Sequence, residues 1–127
     1  MGTVEFGGRA LATGYVPNEW LPALYGAADL YLAPSHHEGF GIPVLEAFRC
    51  GCPVLSSAGG ALPEVVGDAG VIQADNTPEA WRNSIEDLLA DGSKLQDLRS
   101  RGIEREKHFT WKQHAESTLR AYREVTP

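Results

Sequence analysis

Short apolar segments alternate with helix-like segments along the chain, and this alternation constrains the fold more than any other feature of the sequence. Residues 30–33, 53–56 and 69–72 are short apolar runs and are predicted to be strands. Between the first two lies a segment with Pro43 at a favoured helix start and Gly51 at a favoured helix end. Strands that alternate with helices predict a parallel sheet covered by helices. The expected fold class is therefore α/β, a partial Rossmann-like three-layer domain with a helical C-terminus.

The segment before the first of these strands gives weaker signals. Residues 9–16 form a strand-like run that is interrupted by Gly14. Asn18 is a residue type that caps helices, and it predicts a helix that extends to about Ala28, with Pro22 tolerated in its first turn. The residues expected on the inner face of this helix are Trp20, Leu21, Leu24 and Tyr25.

The last third of the chain has helical patterns throughout. Thr77 followed by Pro78 predicts a helix start, with apolar residues at Trp81, Ile85, Leu88 and Leu89. Two further helices are predicted to begin with capping boxes, formed by Ser93 with Gln96 and by Thr110 with Gln113. The final helix is expected to have one side made of Trp111, Ala115, Leu119 and Tyr122.

Composition limits the possible classes of function. The chain has 127 residues, 43% of them hydrophobic and 22% charged, which suits one small globular domain. A net charge of -6 argues against nucleic acid as a partner, although backbone N–H groups at a helix start can still hold a small anion. No run of about 18 apolar residues occurs, and residues 1–8 do not resemble a secretory signal, so we expect a cytoplasmic protein, or one at the inner face of the membrane.

Two cysteines, Cys50 and Cys52, are the whole thiol content of the chain. At this spacing they cannot easily bond to each other, and no second pair completes a zinc site. We expect small buried residues rather than a redox or metal pair.

Ligands of parallel α/β sheets bind at the carboxyl ends of the strands, which directs attention to residues 35–42 and 57–62. In the first of these loops, Gly39 and Gly41 let the backbone approach a ligand closely. The following helix start offers unpaired N–H groups to a phosphate, and Glu46, about one turn into the helix, can accept hydrogen bonds from two neighbouring hydroxyls, as on a ribose. Glu38 could meet a second polar group.

Simpler explanations exist for each of these residues. Glu46 can favour the helix dipole, Glu38 can be a solvated loop carboxylate, and the glycines can merely permit a turn. His36 and His37 are expected to be exposed loop residues. Ser35 caps a turn in this interpretation, because no histidine and aspartate pattern supports a catalytic triad.

The segment as a whole resembles the signature of the large retaining glycosyltransferase family that includes glycogen synthase-like and sucrose synthase-like enzymes, the group 1 glycosyltransferases of GT-B architecture. The resemblance covers roughly residues 12–125. The matching pieces are Ala28-Asp29, Pro34-Ser35, Glu38-Gly39-Phe40-Gly41-Ile42-Pro43, Glu46-Ala47, Gly51-Cys52-Pro53-Val54, Gly59-Gly60, Leu62-Pro63-Glu64, Gly67-Asp68-Ala69-Gly70 and Phe109-Thr110-Trp111.

The resemblance implies roles for the matched residues. Glu46 is similar to the second glutamate of the family's paired-glutamate motif, which holds the nucleotide ribose. Glu38 is similar to the first glutamate, which lies near the donor sugar and the reaction centre, and is the expected catalytic residue. The residues whose backbone N–H groups are expected to hold the donor sugar and phosphates are Gly39, Phe40, Gly41 and Ile42. Pro63 and Glu64 match a second loop with an expected structural role.

The implied activity is transfer of a hexose from a UDP-, GDP- or ADP-linked sugar to an acceptor hydroxyl with retention of anomeric configuration. No cofactor and no metal are expected, because positive side chains and helix dipoles neutralise the leaving diphosphate. Two alternatives remain: a non-catalytic nucleotide-sugar-binding or interaction module, and a sugar-nucleotide epimerase of the same architecture.

The sequence also departs from the family pattern. Residues 1–127 are expected to be one partial domain, without the N-terminal acceptor domain and the first two strand–helix units of the donor domain. The family's basic residues that grip the diphosphate lie upstream, and Arg9 does not match them. We therefore expect no turnover by this chain alone. An open edge on the sheet is expected to produce rearranged strand pairing at the N-terminus or a strand-exchanged homodimer.

Overall fold

The structure, a computed structural model, describes residues 4–6 and 10–126. Its main sheet has three parallel strands in the order β3-β4-β5, and a separate two-stranded antiparallel sheet precedes it. The strands are β1 (Val4–Phe6), β2 (Ala10–Ala12), β3 (Tyr31–Ala33), β4 (Val54–Ser57) and β5 (Val71–Gln73). The three predicted central strands are therefore confirmed, within one or two residues at their ends.

The helices alternate with the strands of the main sheet and then follow it. They are α1 (Leu21–Ala27), α2 (Ile42–Arg49), α3 (Leu62–Val66), α4 (Pro78–Ala90), α5 (Gly92–Glu106) and α6 (Trp111–Val125), with a 3₁₀ turn at Asn18–Trp20 before α1. Pro43 is in the first turn of α2, and Gly51 follows its end with a φ of 69°, as predicted. The predicted α/β alternation is confirmed.

The central strand β4 connects the two sides of the core. All four of its residues are buried. Val54 packs with residues of α2 and α3, including Phe48 and Leu62, on one side of the sheet. Leu55 packs on the other side with Trp81 and Leu88 of α4 and Leu98 of α5. Because successive strand residues point to opposite faces, the sheet lies between two helical layers.

Helix α5 also reaches back to α2 and holds it in place. Gly102 is buried, and a β-carbon there would lie 2.6 Å from Cδ1 of Phe48, so glycine is required for the two helices to approach. The Arg49 guanidinium donates to Glu106 Oε1 at 2.9 and 2.6 Å, and Arg99 donates to the Gly51 carbonyl at 2.8 Å. The helix that begins at the candidate loop is therefore fixed by contacts far along the chain.

The N-terminal strand prediction is only partly correct. Of the predicted run 9–16, only Ala10–Ala12 is a strand, and Arg9 lies outside the described residues. Strand β2 pairs antiparallel with β1, in the register Val4–Ala12, and within the described part of the chain β3 has β4 as its one neighbour. This local pairing is compatible with the rearrangement that we expected, whereas the strand-exchanged homodimer stays a prediction.

The predicted inner face of α1 is partly wrong. The helix begins at Leu21 after the 3₁₀ turn, and the Asn18 side chain makes no capping bond. Trp20 is 63% exposed and Leu24 is 48% exposed, whereas Tyr25 is half-buried. The reason is that α1 packs mainly against α2, where the Tyr25 hydroxyl meets Glu46, so only a narrow strip of the helix is covered. Pro22 is tolerated in the first turn, as predicted.

The C-terminal caps confirm two of three predictions. Thr77 accepts a hydrogen bond from Ala80 N, and Thr110 with Gln113 forms a complete capping box. The capping box predicted at Ser93 and Gln96 is wrong, because α5 begins two residues earlier than that cap implies and the Asp91 carboxylate accepts from Lys94 N at 2.9 Å. This bond lowers the pKa of the exposed Asp91. On α4, Trp81 and Leu88 are buried but Leu89 is 49% exposed.

Candidate functional site

The candidate loop, residues 34–41, connects β3 to α2 at the carboxyl end of the parallel sheet. Glu38 lies at its middle, half-buried, and its Oε1 accepts a hydrogen bond from the Ser35 hydroxyl at 2.7 Å. The Glu38 carbonyl accepts from Ala61 N at 3.0 Å. Ser35 thus orients the carboxylate, whereas the sequence alone had suggested that it capped a turn.

The loop after β4 packs closely against the backbone of Ser35 and Glu38. A β-carbon at Gly59 would overlap the carbonyl oxygen of Ser35, and one at Gly60 would lie 2.8 Å from Glu38 N and overlap its carbonyl. Gly60 also has a φ of 61°, which disfavours other residues. These two glycines therefore permit a close approach between the loops after β3 and β4.

The end of β4 adds a buried polar link. Ser57 is 4% exposed, and its hydroxyl donates to the Ser35 carbonyl and accepts from Gly59 N at 3.3 Å. Both hydrogen-bonding functions of this hydroxyl are satisfied, as buried polar groups require. Sequence reasoning did not single out Ser57, because a serine at the end of a strand has no special pattern.

The start of α2 is the place where the sequence predicts a phosphate to bind. Gly41 caps the helix with a φ of 96°, and a β-carbon there would lie 2.9 Å from Leu62 Cδ2. Among the backbone hydrogen bonds within residues 4–6 and 10–126, none is donated by the N–H groups of Gly39, Phe40, Gly41 or Ile42. Unpaired N–H groups at a helix N-terminus carry partial positive charge and bind phosphates well.

The ring of Phe40 connects this loop to the C-terminal part of the chain. Its centroid lies 5.8 Å from that of Phe109, nearly edge to face. Arg105 stacks 5.1 Å above the Phe109 ring and donates to the Val65 carbonyl at 3.2 Å. Three segments that are distant in sequence are thus held together beside the loop.

Glu46 is half-buried on α2, and its Oε2 accepts a hydrogen bond from the Tyr25 hydroxyl at 3.1 Å. Burial raises the pKa of Tyr25 well above its ordinary value of 10.0, and the bond to Glu46 raises it further. Because one carboxylate oxygen is held by Tyr25, the other keeps free acceptor positions in a defined orientation. Tyr25 was predicted only as an inner-face residue, so its link to Glu46 was missed.

Both glutamates act on one further aromatic residue. Burial raises the pKa of Tyr31, and the negative charges of Glu38 and then Glu46 raise it further. The rings of Tyr25 and Tyr31 meet edge to face, 5.5 Å apart. The two tyrosines therefore bring α1 into contact with β3.

A small open cavity, which we call the strand-end cavity, lies where the three parallel strands end. Its volume is about 210 Å³. The cavity is lined by Ser35, His36, Ser57, Ala58, Gly59, Gln73, Ala74 and Asn76. Ser35 is shared with the Glu38 loop, so the cavity adjoins the candidate carboxylate. The cavity lies at the carboxyl edge of the parallel sheet, but none of the predicted site residues lines it, neither residues 38–42 nor Glu46, and their roles stay predictions.

Other candidate groups have plainer roles. Cys52 is buried, as expected, and burial raises the pKa of its thiol, whereas Cys50 is only half-buried; both are free thiols. In the described part of the chain, no group of three or more histidine, cysteine or acidic residues could hold a metal ion, and the expectation of a metal-free site stays a prediction. Among the same residues, no helix has both the length and the apolar character needed to cross a membrane.

Residues 4–105 match the family described as glycosyl transferases group 1. The chain belongs to this family. The match includes the Glu38 loop, all of α2 and the Gly59–Gly60 turn, so the resemblance drawn from the motifs is confirmed.

Similar proteins agree with this assignment. Over 110 residues the chain is 44% identical to the O-antigen chain mannosyltransferase B of Escherichia coli. The aligned region covers 87% of this chain and 29% of that protein. It is 38% identical over 109 residues to a D-inositol 3-phosphate glycosyltransferase of Segniliparus rotundus, with 84% and 24% covered. The chain thus spans less than a third of the length of these relatives.

Two solved structures have the same fold. A sucrose-phosphate synthase from Thermosynechococcus elongatus superposes with a TM-score of 0.75 at 32% identity, over 89% of this chain and 29% of that one. The C-terminal domain of a group 1 glycosyl transferase (LpcC) from Francisella tularensis superposes with a TM-score of 0.64 at 27% identity. The superposition covers 72% of this chain and 49% of that one. The predicted GT-B C-terminal fold is confirmed.

Proposed function

We propose that this chain forms part of the donor site of a retaining glycosyltransferase that moves a hexose from a nucleotide-diphosphate sugar to an acceptor hydroxyl. One observation carries the proposal. Two oriented carboxylates, Glu38 and Glu46, lie on either side of a helix start whose N–H groups are unpaired within the described residues. A diphosphate between two polyhydroxyl groups is the ligand class that uses all three features.

The nucleotide half of the donor binds at Glu46. Its carboxylate accepts hydrogen bonds from the two ribose hydroxyls while Tyr25 holds the other oxygen. The unpaired N–H groups of residues 39–42 receive the diphosphate, helped by the partial positive charge of α2. The net charge of -6 does not oppose this, because the contacts are local and directed.

The sugar half lies at Glu38, beside the bond that breaks. The acceptor hydroxyl attacks the anomeric carbon on the face from which the diphosphate leaves, and its proton passes to the departing phosphate oxygen, so configuration is retained without a covalent Glu38 intermediate. Helix dipoles and N–H donors stabilise the charge that develops on the leaving group, and no metal is needed. The two-carboxylate scheme of glycosidases does not apply.

The acceptor site belongs, in this proposal, to the part of a longer protein that this chain does not include. Support comes from the relatives, of which this chain covers 29% and 24%. The isolated chain then binds a donor but does not turn it over. Measurable sugar transfer by the purified chain would refute this part of the proposal.

The test is a calorimetric titration of the chain with UDP-, GDP- and ADP-linked sugars, beside the Glu46→Gln variant. A hydrogen bond to a charged group contributes about 1.5–3 kcal/mol, so Glu46→Gln should weaken binding by about one to two orders of magnitude. A preference for one base would identify the donor class.

Glu86→Gln is the matched control, because Glu86 is exposed in α4 and outside the candidate site. It should leave affinity unchanged. Equal weakening in both variants, or none in Glu46→Gln, would contradict the role of Glu46. Binding of a protein partner without nucleotide affinity would instead favour an interaction module, and inversion of a free sugar nucleotide would favour an epimerase.

A further inference from the structure

Two successive side-chain hydrogen bonds join α4 to the candidate loop, through Asn76 and His36, which both line the strand-end cavity. Trp81 Nε1 donates to Asn76 Oδ1 at 2.7 Å. The amide nitrogen of Asn76 lies 3.2 Å from His36 Nδ1. Trp81 is a buried core residue of α4, so this series of hydrogen bonds starts from a fixed position and ends at the exposed imidazole of His36.

The order of donors and acceptors from Trp81 through Asn76 determines the tautomer of His36. An indole N–H can only donate, so the Asn76 oxygen is its acceptor and the Asn76 nitrogen is a donor. His36 Nδ1 therefore accepts, which means that it carries no proton. The proton of the neutral ring lies on Nε2, and His36 presents an N–H donor at the end of its ring away from Asn76.

The strand-end cavity suits a sugar ring better than a whole ligand. Its 210 Å³ is smaller than the roughly 300 Å³ at which complete ligand pockets begin, so it accommodates part of a larger molecule. Ala58 and Ala74 provide small apolar walls against ring C–H groups, and His36 provides a donor for a hydroxyl oxygen. Gln73 and Asn76 also line the cavity, but the Gln73 amide already donates to the Ala80 carbonyl and to Ser84, and the Asn76 amide is engaged by Trp81 and His36.

The cavity also adjoins the carboxylate at which the proposed function places the donor sugar. Ser35 lines the cavity and donates to Glu38 Oε1 at 2.7 Å. The Ser57 hydroxyl, buried below, holds the Ser35 backbone. Ser35 therefore connects the cavity, which His36 also lines, to the Glu38 carboxylate, which does not itself line it.

We propose that the strand-end cavity receives the sugar ring of the donor, and that His36, oriented by Asn76 and Trp81, donates a hydrogen bond from Nε2 to one of its hydroxyl oxygens. This inference rests on the proposed function, since it requires a nucleotide sugar as ligand. It makes His36 a residue that determines which sugar is accepted, whereas Glu46 contacts the nucleotide.

The test compares two ligands that differ only in the sugar. Calorimetry is performed with UDP and UDP-glucose, or with GDP and GDP-mannose, according to which nucleotide the wild-type chain binds. His36→Ala should weaken the binding of the nucleotide sugar by roughly three- to tenfold. It should leave the affinity for the nucleoside diphosphate unchanged. His36→Gln, whose amide can place an N–H near the position of Nε2, should recover most of the loss.

Two further variants test the orientation of the ring. Asn76→Ala removes the hydrogen-bond partner of His36 Nδ1. It should cause a smaller loss of affinity for the nucleotide sugar than His36→Ala, because both tautomers of the His36 ring then become accessible. His37→Ala is the matched control, since His37 is exposed and does not line the cavity. Equal melting temperatures by circular dichroism would show that the variants remain folded.

The outcomes separate this inference from the proposed function. If Glu46→Gln weakens both ligands but His36→Ala changes neither their affinities nor the ratio between them, the sugar does not lie in the cavity. If His36→Ala weakens both ligands equally, His36 supports the loop rather than the sugar. If no nucleotide binds at all, the proposed function fails and this inference fails with it.

Discussion

Helices α2 and α6 differ in how they are stabilised, although both have apolar residues at helical spacing. Helix α2 has eight residues, of which Val44, Ala47 and Phe48 are buried, and it contacts sheet and helices on several sides. Helix α6 has 15 residues and none is buried; Trp111 is 81% exposed and Tyr122 is 65% exposed. One helix is held by packing, and the other is held by its capping box and by its own length.

The comparison teaches that apolar periodicity indicates a helix but not whether its face is covered. A helix of eight residues is too short to persist alone, because isolated helices below about 12–15 residues are marginal. Helix α2 therefore depends on Gly102, which allows α5 to approach, and on Gly41, which allows the turn before it. The candidate site inherits its rigidity from these contacts, whereas α6 contributes nothing comparable.

The largest contrast should come from removing one apolar side chain in each helix. Phe48→Ala leaves a cavity in the core and should lower the free energy of unfolding by about 3–5 kcal/mol. Tyr122→Ala should change it by less than about 0.5 kcal/mol, as for other exposed residues. Urea denaturation followed by circular dichroism measures both. A large effect of Tyr122→Ala would show that the face of α6 is covered in solution.

A glycine substitution tests whether the site loop depends on close backbone contact. Gly60→Ala should cost about 1–3 kcal/mol from its φ alone, with further loss from overlap with the Glu38 carbonyl, and should weaken donor binding. Gly26→Ala is the control, since no atom lies within 4 Å of a β-carbon there and α1 should tolerate it. Unchanged stability and binding in Gly60→Ala would mean that the two loops separate freely.

The link between Tyr25 and Glu46 should make stability depend on alkaline pH. The pKa of Tyr25 is raised in the folded state, so its contribution is complete below pH 10 and is lost as pH rises through the folded-state pKa. At pH 8, Tyr25→Phe should lower the free energy of unfolding by about 0.5–1.5 kcal/mol. This difference should shrink above pH 10, which urea denaturation across a pH series would detect. A difference that stays constant with pH would contradict the raised pKa.

The smallest effect on global stability should come from the cap of α6. Thr110→Ala removes the bond to Gln113 N and should cost about 1 kcal/mol of local helix stability. Because no residue of α6 is buried, the expected result is lower helical ellipticity with an unchanged urea midpoint for the core. Thr77 caps α4, which packs on the sheet, so Thr77→Ala should lower the urea midpoint of the core. Equal shifts in both variants would remove the contrast between the two kinds of helix.

Local chemistry in the sequence by itself determined the order and type of the elements around the site. Pro43 and Gly51 bracket α2, and Thr77 and Thr110 begin α4 and α6 as their residue types predict. These signals act within a few residues, so no knowledge of distant parts of the chain is needed. The family motifs further marked the loop containing Glu38 and the helix containing Glu46, whose roles in binding remain predictions.

Tertiary structure alone decided which faces are covered and which groups meet. Tyr25 bonds to Glu46 across 21 positions, and Asn76 reaches His36 across 40. The exposed Trp20 and Leu24 had the same apolar pattern as the half-buried Tyr25, and nothing local distinguishes them. Such contacts depend on how the strands are ordered and how closely the helices approach. Those are properties of the assembled sheet, because parallel strands bring distant loops to one edge.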